Sequence, residues 1–214
     1  MLYNATASKS SSGYNLSPPS YWSGASYKMR FFAYTPKANG NYVLSVSTQA
    51  GSPIISVTIP GNVDEQKDLL VAKTDELDGN ANTIVPLTFS HALTAVRFVC
   101  GDDMQGGTVK SVSLKNVYSK GTYNMETESW SSVNTLATFS QTLNKSTAGI
   151  ANDPLITENQ TFMMVPQTLP DGEQLEVVFT DNANTDHILS AGIKGQVWPM
   201  GKTVTYKISN ISTN

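Results

Sequence analysis

The feature that most restricts this chain is the spacing of its apolar residues, which recur at every second position in one run after another. Tyr42, Leu44 and Val46 alternate with Val43, Ser45 and Ser47, and Ile55, Val57 and Ile59 alternate with Ser56 and Thr58. Leu87, Phe89 and His91 are interleaved with Thr88 and Ser90. Val96, Phe98 and Cys100 share one face of the next run, with Ala95, Arg97 and Val99 on the other. Val112 and Leu114 follow, then Leu175, Val177 and Phe179, and last Val204, Tyr206 and Ile208 opposite Thr203, Thr205 and Lys207. A strand turns successive side chains to opposite faces, so this period reads as half-buried β-strand. Turn signals such as Gly51-Ser52-Pro53, Pro60-Gly61, Gly106-Gly107, Pro170-Asp171-Gly172 and Pro199-Met200-Gly201 cut the runs short. Short strands so punctuated point to an all-β sandwich with antiparallel pairing and no βαβ unit.

Two segments compete as helices. Asp64 to Ala72 reads as a short helix or as a single turn leading into a strand. Ser131 to Leu143 places Val133, Leu136, Phe139 and Leu143 at loosely helical spacing, without a convincing cap. Met1 to Gly24 has the Ser, Gly, Pro and Asn content of a loop. A polar stretch between Gly121 and Trp130 separates two strand series. The chain is therefore expected to hold two tandem β-sandwich domains, residues 1–124 and 125–214.

Composition removes several function classes. Ser, Thr and Asn make up 64 of 214 residues, and charged residues only 14%, against about 25% in ordinary soluble proteins. A formal net charge of -3 argues against a nucleic-acid partner, which would need a basic stripe. One cysteine, Cys100, excludes an internal disulfide and a thiolate zinc site. No run approaches the ~18 apolar residues of a spanning helix.

A reactive centre is equally hard to assemble. No nucleophile elbow, zinc-binding His-Glu-X-X-His or phosphate loop occurs. The sequence names no catalytic, cofactor-binding or metal-ligating residue, and the chain is read as a non-enzyme. Asp102-Asp103, Asp153, Glu158 and the Asp75-Glu76-Leu77-Asp78-Gly79-Asn80 run are weighed as calcium ligands and read instead as solvated loop charges. His91 is expected to point into the core with Leu87 and Phe89, while His187 carries no signal. Asn4, Asn144, Asn159 and Asn210 head Asn-X-Ser/Thr sequons. Trp22, Trp130 and Trp198 are either plugs of sandwich ends or a sugar-stacking platform, the first reading being favoured.

Several segments in order resemble one family. They are Phe31-Phe32-Ala33-Tyr34-Thr35-Pro36 after Trp22, then Asp68-Leu69-Leu70-Val71-Ala72, then Val85 to Phe98 with its Phe-X-His-X-Leu-X-X-Val-X-Phe core. Val112 to Val117, Gly121-Thr122-Tyr123, Met164-Val165-Pro166-Gln167 and Trp198 to Tyr206 follow. Together they resemble the fimbrillin-like pilins and adhesins of Bacteroides-type bacteria, of FimA and Mfa type. The resemblance implies two transthyretin-like sandwiches and a fimbrial subunit or adhesin at the outer membrane, cell surface or fimbrium. It also implies export as a lipoprotein whose signal segment and lipid anchor lie outside this chain. Its partners would be other fimbrial subunits or a host or bacterial surface receptor, with a glycan as a further ligand and membrane contact only through the anchor. Assembly would proceed by donor-strand complementation, a strand of the next subunit completing a sheet. The first strand or strands of the N-terminal domain are expected to be missing, leaving an unpaired edge. The competing readings are a glycan- or glycoprotein-binding module and an accessory domain of a secreted hydrolase.

Overall fold

The computed structural model describes residues 5–21, 27–37, 39–44, 53–79 and 84–209. In chain order its strands are β1 (Thr6–Ser10), β2 (Gly13–Ser17), β3 (Lys28–Met29), β4 (Phe32–Thr35), β5 (Tyr42–Leu44), β6 (Ile54–Thr58), β7 (Leu70–Lys73), β8 (Leu77–Asp78) and β9 (Ser90–His91). There follow β10 (Thr94–Cys100), β11 (Gly107–Asn124), β12 (Ser129–Thr147), β13 (Phe162–Met164), β14 (Gln167–Thr168), β15 (Gln174–Asp181), β16 (Asp186–Gly192), β17 (Val197–Trp198) and β18 (Thr203–Ile208). The described residues are thus all-β, with two 3-10 turns, Val63–Glu65 and Glu158–Gln160.

The β11–β12 hairpin is the spine, with strands of 18 and 19 residues. β12 lies along one edge of β11. The other edge pairs with β15 from Gly107 to Lys115 and with β6 from Lys120 to Asn124. β16 flanks β15 and β5 flanks β6, completing six strands. The buried side chains of β11 run Val109, Val112, Leu114, Val117, with spacings of three, two and three. Register shifts fall at Val109/Ser111 and Leu114/Val117, and Asn116 has a φ of 57°. Each bulge inserts one residue, so the next inward side chain arrives a position late.

β10 is the centre of the opposing sheet, antiparallel to β13 and parallel to β18; this is the one departure from antiparallel pairing among the described strands. Val96, Phe98 and Cys100 are fully buried, as their alternation requires. They meet Val112, Leu114, Val177 and Phe179 of the large sheet in one core. Phe98 packs edge-on to Phe162 at 5.7 Å and stacks on Tyr206 at 6.0 Å. Burying one such ring is worth roughly 1.5–3 kcal/mol.

Three expectations need correction, and of the two readings of Asp64 to Ala72 the structure adopts the second. Ser131 to Leu143 is not a helix but the middle of β12; Leu136 faces outward at 51% exposure, while Ala137, Phe139 and Leu143 lie on the core side. Positive φ at Ser132 and Thr135 breaks the period of two and imitates helical spacing. Asp64 to Ala72 is the turn-then-strand alternative, with Asn62 Oδ1 accepting from Asp64 N at 3.1 Å. Thr6 to Ser17 forms the β1–β2 hairpin, which among the described residues pairs with no other strand. Leu87, Phe89 and His91 are solvent-facing, at 39% and 43% for the first two and 67% for the His91 side chain. Among the described residues only Ser90–His91 is strand there, an edge paired to β7 alone, and the chain turns inward one residue later at Ala92 and Leu93.

Gly121 to Trp130, where a domain boundary is expected, is the end of β11, its turn and the start of β12. Arg30 pairs with Glu126 in that turn, and Lys73 with Glu128 at 2.9 Å. Trp130 Nε1 donates to the Ala92 carbonyl at 2.9 Å.

Candidate interaction surfaces

Where the pairing with β15 ends at Lys115 and that with β6 has not begun, β11 would expose unpaired backbone at Asn116 to Tyr118, the Ser119 carbonyl already accepting from Ile59 N at 2.8 Å. Gln167 fills the gap. Its Oε1 accepts from Tyr118 N at 2.9 Å, and its Nε2 donates to Tyr118 O and Val165 O at 3.0 Å each. A side-chain amide thus stands in for one residue of strand and closes this edge.

The opposite edge of the hairpin is open among the described residues. Among the described residues β12 pairs with β11 alone. Of its 19 residues only Lys145 is charged, and none is proline. Positive φ at Ser132, Thr135 and Asn144 bends the strand near its two ends. Leu136 to Leu143 between them is free of charge and of such kinks. Natural edge strands are usually guarded by charges, prolines or bulges, because bare N–H and C=O groups recruit other strands.

A second feature is a cleft of about 460 Å³ between the two 3-10 turns, lined by Asp64, Gln66, Lys67, Asp68, Glu158, Asn159, Thr161 and Met163. Its floor is fixed by buried Gln66, whose Nε2 donates to Pro60 O at 3.0 Å and whose Oε1 accepts from Met163 N at 2.8 Å. One wall is held by Tyr42, whose hydroxyl donates to Lys67 O. Burial, reinforced by the Asp68 charge, pushes the Tyr42 phenol up to about 12, so it stays a donor at physiological pH.

A family model described as fimbrillin-like matches residues 1–212. The chain belongs to the fimbrillin-like family. No curated protein matches it significantly. Among solved structures, this fimbrillin-like chain is similar to a fimbrial protein from Bacteroides vulgatus, with a TM-score of 0.61, 17% identity, and coverage of 97% of this chain and 81% of that one. It is also similar to a candidate cell adhesion protein from Bacteroides uniformis, with a TM-score of 0.56, 18% identity and coverage of 94% and 73%. Another candidate cell adhesion protein, from Bacteroides ovatus, gives 0.54, 19% identity and coverage of 91% and 70%. At such identities the likeness is one of fold.

The singled-out residues of the fimbrillin-like chain scatter. Asp102 and Asp103 are exposed in the turn after β10, Asp102 lying 3.6 Å from Lys207. Asp75 and Glu76 are exposed in a loop, and Asn80 is outside the described residues. Asp153 is exposed and lends its backbone to Cys100, while Glu158 lines the cleft. His91 Nδ1 meets the carboxylate of half-buried Asp68, a hydrogen-bond partner at the surface rather than in the core. His187 sits on β16 with its Nε2 2.9 Å from Asp181 Oδ2. Trp198 is fully buried, its Nε1 donating to Tyr206 Oη at 2.9 Å, and Trp130 is half-buried against Tyr123. Both therefore plug the interior; Trp22, Asn4 and Asn210 lie outside the described residues. Asn144 and Asn159 are exposed. Sequence reasoning missed the β12 edge and the cleft. The near-absence of charge over Ser129 to Thr147 was the available signal for the first.

Proposed function

We propose that this chain is a non-enzymatic fimbrial subunit or cell-surface adhesin that assembles by strand addition, a neighbouring subunit's extended segment pairing with β12 between Leu136 and Leu143. The observation that carries this reading is a long strand whose only charge is Lys145 and whose one edge is open among the described residues. Main-chain hydrogen bonds along it supply affinity, and alternate side chains set register. In the same reading the two transthyretin-like sandwich units share the β11–β12 hairpin, and the molecule is displayed outside the cell from a lipid anchor.

The test is assembly of the purified chain, followed by light scattering and negative-stain microscopy with and without limited proteolysis. Wild type is expected to form filaments or oligomers. Ser140→Lys with Leu136→Lys, both at exposed positions, is expected to leave the fold intact and abolish them. A chain that stays monomeric, or variants that assemble as well as wild type, would overturn strand addition at β12.

A further inference from the structure

The turn that leads into β5 leaves one asparagine open to reaction with its own backbone. Asn39 and Gly40 both face solvent. Asn39 Oδ1 accepts from Asn41 N at 2.7 Å and from Tyr42 N at 3.2 Å, while Nδ2 has no partner among the described residues. The turn is closed by Asn39 N donating to Tyr42 O at 3.0 Å and by Thr58 N donating to Asn41 O at 2.8 Å. The Gly40 N–H between them meets no acceptor among the described residues, and a Cβ at Gly40 would have nothing within 4 Å. That free N–H sets Asn39 apart from other exposed asparagines, whose following amides are occupied. Ala183 N, after Asn182, and Thr185 N, after Asn184, both donate to Asp181 Oδ1 at 2.9 Å. Asp153 N, after Asn152, donates to Ile150 O, and Gln160 N, after Asn159, to Thr157 O, each at 3.1 Å.

We propose that Asn39-Gly40 is a site of spontaneous conversion to aspartate and isoaspartate, and that the conversion unfastens β5 from the large sheet. Gly40 N gives its proton to solvent hydroxide and bonds to Asn39 Cγ, closing a cyclic imide. The Cγ–Nδ2 bond breaks, and Nδ2 takes a proton from water and leaves as ammonia. Water then opens the imide, at Cγ to give aspartate or at the α-carbonyl to give isoaspartate. Attack within one residue needs no encounter between separate molecules. Charge that develops on Oδ1 as Gly40 N adds is met by the two N–H groups already bonded to it, the arrangement of an oxyanion hole. Glycine also lacks the Cβ that would crowd the attacking nitrogen. In isoaspartate the main chain runs through Cβ and Cγ, so the carbonyl that holds Asn41 N and Tyr42 N is drawn into the backbone and the turn lengthens by one atom. Among the described residues β5 pairs with β6 alone, through Tyr42–Leu44, and has no second neighbour to retain it. Nothing in this inference depends on strand addition at β12.

The test ages the full chain in neutral buffer at body temperature, native and in urea, and maps its peptides by mass spectrometry, with isoaspartyl methyltransferase as the probe for isoaspartate. In the native chain the peptide that contains Asn39 is expected to gain aspartate and isoaspartate, while Asn152, Asn159, Asn182 and Asn184 stay intact. Urea frees the amides that follow those four, and should speed their conversion more than it changes that of Asn39. Gly40→Val, whose side chain enters open space, should suppress conversion at Asn39 without lowering the melting temperature, and the smaller Gly40→Ala should slow it. Amide exchange at Tyr42–Leu44 should quicken in the aged wild type and stay unchanged in the aged Gly40→Val chain. Conversion of Asn39 only in urea, conversion of the other four ahead of it in the native chain, or equal conversion in both glycine variants would overturn the proposal. Unchanged exchange at Tyr42–Leu44 after isoaspartate has formed would overturn its claim on β5.

Discussion

β11 and β12 are two strands of one hairpin and of nearly equal length, yet they are opposite in character. β11 is paired on both edges, buried to zero exposure at Val109, Val112, Leu114 and Val117, and bridged at its one gap by Gln167. β12 keeps one edge open and buries fully only Phe139. The same backbone geometry therefore serves as scaffold in one strand and as surface in the next. Position in the sheet, rather than strand propensity, decides which. Both strands are rich in Ser and Thr, and β11 carries three lysines where β12 carries one; what divides scaffold from surface is the number of paired edges.

The sharpest way to break this contrast is matched truncation. Leu114→Ala on β11 removes a fully buried side chain and should cost about 2–5 kcal/mol. Leu136→Ala on β12, at 51% exposure, should change stability by no more than about 0.5 kcal/mol. Urea denaturation of the two variants measures both, and equal losses would mean that β12 is covered by something its exposure does not reveal. Next comes Gln167→Ala, which leaves the N–H and C=O of Tyr118 unpaired at a buried joint. About 1–3 kcal/mol is expected for an orphaned group of this kind, with faster amide exchange at Tyr118 as the specific mark. Gln167→Glu separates the two roles of the amide, because a carboxylate keeps the acceptor and loses the donor.

A smaller effect is expected at Gly121. A Cβ there would stand 2.9 Å from Trp130 Cε3, so Gly121→Ala must shift an indole held by its bond to Ala92 O. Overpacking typically costs about 1–3 kcal/mol, the low end applying if the ring tilts. Near-ultraviolet circular dichroism should report the tilt, and an unchanged spectrum with unchanged stability would show that the hairpin tip is loosely packed.

How far the fold was legible follows the same division. Ile55/Val57/Ile59, Val96/Phe98/Cys100 and Leu175/Val177/Phe179 lie on strands with one dry face, so burial itself enforces their period. The spacing of Val133, Leu136, Phe139 and Leu143 misleads because bulges shift the phase and Leu136 belongs to the other face. Leu87, Phe89 and His91 alternate without burial, since an edge strand two residues long cannot hold five residues against the core. The cleft was invisible because its two walls are some ninety positions apart in sequence and neither carries a motif. Gln167 was visible only as part of a Pro-Gln pair. Its use as a strand substitute depends on the gap between β15 and β6, which no local pattern records.

The smallest effect concerns the edge that the large sheet does guard, at the β15–β16 turn. Asp181 Oδ1 accepts from Ala183 N and Thr185 N at 2.9 Å each, and its Oδ2 meets His187 Nε2 at the same distance. The bond from His187, with that from Thr185, lowers the Asp181 carboxyl from its ordinary 3.8. A carboxylate whose folded value lies below the unfolded one stabilises the fold fully above the ordinary value, and loses that contribution as pH falls through the folded value. The effect therefore belongs to acid solution and should be absent between neutrality and mild acidity. Carbon-detected titration of the Asp181 carboxyl should place its midpoint below 3.8 in wild type and closer to it in His187→Asn. An identical midpoint in the two proteins would assign the shift to the turn's backbone donors alone. In that case this turn, like β12, would owe its shape to main-chain geometry and nothing to charge.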